Sequence, residues 1–186
     1  MSPHEIAEVV RARLAGQLEE DLRTLERLAA AIDRLLTRGS DAQQEWLRVR
    51  ALSFEIERWY TAIESVIERV LRGLDGSTPE GRSWHEELLR AAALAIDGYR
   101  PAIISVQAVE ALHEVMRFRH FARHGYDREP DVDRVDELGR TALVAHTACA
   151  ASFSELRSWL TGGIMRRLDA YASAAEARQH RGAKDK

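Results

Sequence analysis

Apolar residues in this chain recur every three or four positions over stretches of twenty residues and more, and nowhere alternate with the two-residue period of a strand. From Leu14 the series Leu18, Leu22, Leu25, Leu28, Ile32 and Leu35 falls on one face of a long helix, which Gly39 ends. Ser40 with Gln43 reads as a capping box opening a second helix. Its apolar face is Val49, Leu52, Ile56, Trp59, Ile63, Val66, Val70 and Leu74, with Gly73 and Gly76 breaking it. After the loop "GSTPEG", Ser83 and Glu86 form a capping-box pattern for a short helix to about Ile96, and Pro101 separates it from the next. Ser105 caps a fourth helix that Gly125 and Pro130 close. Asp131 starts a fifth, carrying Val135, Leu138, Ala142, Cys149, Phe153, Leu156 and Leu160 until Gly162 and Gly163 interrupt it. The expected architecture is all-α: an up-and-down bundle of about five helices, one domain over residues 1–172, and a flexible C-terminal tail over 173–186.

Composition narrows the function classes. At 186 residues, 45% hydrophobic and 31% charged, the chain can bury one sizeable core. A single cysteine, Cys149, leaves no intrachain disulfide and no multi-cysteine zinc site. The early acids Glu5, Glu8, Glu19, Glu20 and Asp21 do not suit a signal peptide, and no apolar run approaches the ~20 residues of a membrane span. A cytoplasmic protein without membrane contact is expected. The net charge of −3 hides a local patch. Between Arg117 and Arg128 the sole acid is Asp127, in the segment "RFRHFARHGYD".

That segment divides by helix face. At 100° per residue, Ala108, Leu112, Val115, Arg119, Ala122 and Tyr126 share an apolar stripe. A guanidinium on such a stripe is costly without a partner, so Arg119 is either paired in the core or aimed into a cleft or a subunit interface. His113, Arg117, His120 and His124 form a separate row. Only Glu110 joins it from nearby and no His-Glu-x-x-His pattern accompanies it, so a solvated polar face is the better reading than a metal site, and no metal or cofactor is expected.

Around Arg119 the sequence R-H-F-A-R-H-G-Y resembles the R-N-x-x-x-H-x-Y signature of HepT toxins, in the HEPN superfamily of all-α ribonucleases. With 27 Lys+Arg, of which Lys184 and Lys186 are the lysines, and 7 histidines, chance supplies roughly one R-x-x-x-x-H match. Requiring tyrosine two residues on lowers this to roughly 0.02. "ERWYTAIESVIERV", "GRSWHEELL" and "YRPAIIS" precede the motif in the order of the family's blocks, and the resemblance covers about 45 to 160.

The resemblance implies a homodimeric bundle in which two motifs meet at the dimer interface as a metal-independent endoribonuclease. Arg119 and His124 would be catalytic, with His120 and Tyr126 in support. An imidazole suits proton abstraction from the 2′-hydroxyl, and a guanidinium suits charge developing on phosphate. His120 stands where the family usually has asparagine, and Arg117, Arg123 and Arg128 would hold the RNA backbone. On an unbroken helix Arg119 and His124 lie about 140° apart, so either the helix breaks before His124 or a second subunit completes the site. The resemblance implies both. It also implies an antitoxin of the minimal nucleotidyltransferase (MntA-like) class and adenylylation of Tyr126. Tyr60, Glu64, Trp84 and His85 match family blocks as well, with core packing and satisfied polar contacts as their plainer role. Two other functions fit the sequence: a catalytically weak binding or assembly partner of a nucleotidyltransferase, and a helical scaffold or nucleic-acid-binding regulator.

Overall fold

A computed structural model describes residues 3–39, 42–81, 83–124 and 131–182. Five helices account for nearly all of them: α1 (Pro3–Thr37), α2 (Ala42–Leu74), α3 (Trp84–Ala93), α4 (Val106–His124) and α5 (Val132–Gly182). There is no strand among the described residues; one isolated bridge joins Ile96 and Arg100. Helices α1, α2 and α5 pack on one another, and α4 packs on α5, α2 and α3. Among the described residues α4 does not touch α1. No helix among the described residues is long and apolar enough to cross a membrane.

The helical period determines what is buried. On α2, Val49, Leu52, Ile56, Trp59, Ile63, Val66 and Val70 are all buried; on α5 so are Val135, Leu138, Ala142, Cys149, Phe153, Leu156 and Leu160. Burial pushes the Cys149 thiol up to about 12, which keeps it protonated and inert.

Three buried polar groups tie the helices together. Arg48, on the buried side of α2, donates to both carboxylate oxygens of Asp136 (2.8 and 3.1 Å), to Glu45, and to the Leu35 carbonyl (3.1 Å). One guanidinium thereby ties α2 to α1 and α5. Trp59 Nε1–H donates to His146 Nδ1 at 3.4 Å, which leaves the ring proton on Nε2, facing Glu26 at 3.1 Å. The buried Arg100 chelates Asp75 through Nε and Nη2 (2.8 and 2.7 Å) and donates to the carbonyls of Ala91 and Leu94. It therefore satisfies the open C-terminal carbonyls of α3, a structural role for the "YRPAIIS" block.

Several boundaries differ from the sequence reading, each for a local reason. Gly73 lies inside α2 because its missing side chain admits Leu14 of α1: a Cβ there would sit 2.9 Å from Leu14 Cδ1. Gly76, at φ +80°, falls just beyond the end of α2. The α3 N-cap Ser83 makes no side-chain capping bond, so the expected capping box is not formed. Helix α3 stops at Ala93 rather than near Ile96, because Ile96 pairs with Arg100 across a turn at Gly98 (φ +73°). Gly162 and Gly163 do not interrupt α5, which runs on through Gly182 and includes residues 173–182 of the expected tail. A helical glycine costs only about 1 kcal/mol, which a continuous helix tolerates. Ser40 lies outside the described residues, as do Gly125 and Pro130.

Candidate functional site

The motif lies at the end of α4, and the helix is fixed at its start. Ser105 Oγ accepts from the Ala108 amide at 3.2 Å, the cap the sequence implies, while the Ser105 amide donates to Ser152 of α5. The first half of the apolar stripe, Ala108, Leu112 and Val115, is fully buried. Met116 and Phe118 pack on the same core. Arg117 is exposed and His113 half-buried, in keeping with a solvated row.

Arg119 follows Val115 by four residues and continues the buried stripe in register. Helix α4 is unbroken through His124, so the expected break before His124 does not occur. Residues 119 and 124 are therefore about 140° apart around the axis and about 7.5 Å along it. Arg119, His120, Arg123 and His124 are described in backbone only, and Tyr126 and Arg128 lie outside the described residues. Across the connection to α5, Glu114 pairs with Arg134 at 3.2 Å, and Asp131 caps α5 through the Arg134 amide at 3.3 Å. These contacts fix the start of α5 against the middle of α4.

The second group of block residues forms the joint between α2 and α3. Tyr60 and Glu64 are buried, and Glu64 Oε1 hydrogen-bonds His85 Nδ1. An ionised carboxylate only accepts, so Nδ1 carries a proton and donates. Trp84 stacks on His85 with ring centroids 3.7 Å apart. Tyr60 and Trp84 thus supply packing, and Glu64 the polar contact to His85. His85 is part-exposed at its rim. No group of three or more His, Cys, Asp or Glu residues among the described residues is arranged to hold a metal ion.

One feature escaped the sequence reading. The outer face of α2 carries Leu47 and Phe54, both exposed, beside a groove shared with α1. Its signal was present as apolar residues seven apart, off the buried stripe.

No curated protein and no solved structure matches the chain. The HepT-like protein family matches residues 51–160, more than half of its length and including the whole of α3 and α4. The chain therefore belongs to the HepT-like family of the HEPN superfamily.

Proposed function

We propose that this protein is the toxin of a bacterial toxin–antitoxin system, a metal-independent endoribonuclease neutralised by a nucleotidyltransferase antitoxin. Family membership supports the HEPN-type toxin–antitoxin context. The catalytic reading is supported by helix position: Arg119 follows the buried Val115 by four residues on α4, and His124 lies on the same unbroken helix about 140° away. Such a pair cannot converge on one phosphate from a single helix. Two copies related by a two-fold axis can bring Arg119 of one to His124 of the other.

In the proposed reaction His124 takes the proton of the ribose 2′-hydroxyl, and the 2′-oxygen attacks the adjacent phosphorus. Arg119 donates to the non-bridging oxygens as charge builds there. The bond from phosphorus to the 5′-oxygen breaks, and that oxygen takes a proton from His120 acting as an imidazolium. Products are a 2′,3′-cyclic phosphate and a 5′-hydroxyl. Arg117, exposed on the outer row, together with Arg123 and Arg128, holds the RNA backbone without reading sequence. Adenylylation of Tyr126 by the antitoxin, with release of pyrophosphate from ATP, would put a phosphodiester where substrate phosphate binds. The protein acts in the cytoplasm as a homodimer.

Incubation of the purified protein with total RNA in a chelating buffer tests the reading. Cleavage to cyclic-phosphate ends should fall at least a hundredfold in Arg119→Ala and in His124→Ala. Unchanged cleavage in both variants rejects the site. The second reading, a catalytically weak partner of the nucleotidyltransferase, is favoured by His120 in place of asparagine, and His120→Asn should then raise activity.

A further inference from the structure

Leu47, Ala51 and Phe54 sit at i, i+4 and i+7 on α2, outside the buried stripe, and Leu47 and Phe54 are 60% and 59% exposed. Leu28, Ala31 and Leu35 of α1 face the same groove. Two hollows of about 550 and 400 Å³ flank Phe54, which forms a ridge between them. From Ala51 to Ala62 the groove spans about 16 Å, three helical turns. That shape, small residues on either side of one large one, matches the spaced anchors of an amphipathic helix.

The lining carries both signs of charge, and Arg58 is held by Glu55 at 3.0 Å. Arg34 and Arg38 line the first hollow, and neither pairs with a carboxylate among the described residues. Arg50 lies over the Trp46 ring at 4.4 Å and likewise has no carboxylate partner among the described residues. Cations at the end of α1 are favoured by the helix dipole, which explains part of Arg34 and Arg38. The dipole offers nothing to Arg50, in the third turn of α2. The Trp46 ring accounts for Arg50, so the cations open to an acidic partner in the groove are Arg34 and Arg38.

We propose that the α1–α2 groove docks an acidic amphipathic helix of a partner protein, whose apolar residues enter the hollows beside Phe54 while its carboxylates meet Arg34 and Arg38. Nucleic acid fits less well. The lining beside Phe54 is largely apolar, with Leu28, Ala31, Leu35, Ala51 and Ala62, which suits apolar side chains and offers a phosphate backbone little. The groove is lined by α1 and α2 and includes no residue of α4. The proposal stands apart from the ribonuclease reading.

The test uses the full-length chain and a labelled peptide of about four helical turns. Leucines occupy i, i+3 and i+7 with glutamates flanking them, and a control peptide has every glutamate replaced by lysine. Fluorescence anisotropy should show saturable binding of the acidic peptide, at least tenfold tighter than of the basic one. Phe54→Asp should weaken it at least tenfold, and the double variant Arg34→Glu, Arg38→Glu should reverse the preference between the peptides. Unchanged circular dichroism melts establish that both variants fold. Equal affinity for the two peptides, or binding indifferent to Phe54→Asp, overturns the proposal. So does loss in Phe54→Asp of oligouridylate binding, which would assign the groove to nucleic acid, or of self-association, which would assign it to a second copy.

Discussion

The two faces of α2 are built from similar residues and end differently. On the inner face Leu52, Ile56, Trp59 and Ile63 are buried against α1 and α5, and Arg48 is held by two carboxylates and a carbonyl. The outer face carries Leu47, Phe54 and Arg50, with its apolar residues exposed and Arg50 without a carboxylate among the described residues. Hydrophobicity alone does not separate a fold-forming stripe from an interaction surface. What separates them is whether the apolar residues meet another helix of the chain, since outer-face Arg58 also finds a carboxylate, Glu55.

The largest expected contrast is between the aromatic residues of the two faces. Trp59→Ala should cost about 3–5 kcal/mol in urea unfolding, since it opens a cavity and leaves His146 Nδ1 without a donor. Phe54→Ala, at an exposed position, should stay within about 0.5 kcal/mol. Similar losses from the two would erase the distinction.

Arginine gives the next contrast. Arg48→Met should cost about 3 kcal/mol, because Asp136 keeps a part-buried charge without its partner. Arg34→Met should cost almost nothing. The same substitution has a pH signature. The Arg48 hydrogen bond holds the Glu45 carboxyl below its ordinary value of 4.5. The stability it lends is therefore present above 4.5 and lost as pH falls through the lowered value. Asp21, beside Arg69, has the opposite sign: burial outweighs its ion pair and raises it above 3.8, so its contribution declines as pH rises through the raised value. Acid titrations of stability should flatten below 4.5 in Arg48→Met, and Asp21→Asn should steepen the wild-type loss there.

Glycines supply the smallest test. Gly16, with open space at its Cβ position, should gain up to about 1 kcal/mol on replacement by alanine, the helix-propensity difference. Gly73→Ala should gain nothing or lose about 1 kcal/mol, since the new methyl meets the buried Leu14. Equal gains at both positions would show that α1 and α2 do not approach closely there. Thermal melts resolve either outcome.

Helix number, order and inner stripes were legible in the sequence because the 3.6-residue period records burial directly. The Ser105 and Asp131 caps were legible for a similar reason, since a side chain beside a helix start has few alternatives. Glycine misled where its role was set from a distance. Gly73 is explained by Leu14, some sixty positions earlier, and Gly162 by nothing stronger than the tolerance of a long helix. Ser83 misled because a local pattern cannot reveal that its hydroxyl makes no cap. At the motif, the stripe placed Arg119 in line with Val115, and the continuity of α4 through His124 rejects the break that would have brought the pair together on one chain. Whatever joins them comes from outside a single helix.

Subunit complementation tests that claim most directly. Arg119→Ala and His124→Ala chains are purified separately, mixed, denatured and refolded together, and assayed for RNA cleavage. A site that draws Arg119 from one subunit and His124 from the other leaves each parent inactive and restores roughly a quarter of wild-type activity in the mixture, since half the dimers are mixed and each holds one intact site of two. A mixture as inactive as its parents, in the presence of an active wild-type control carried through the same refolding, would contradict it.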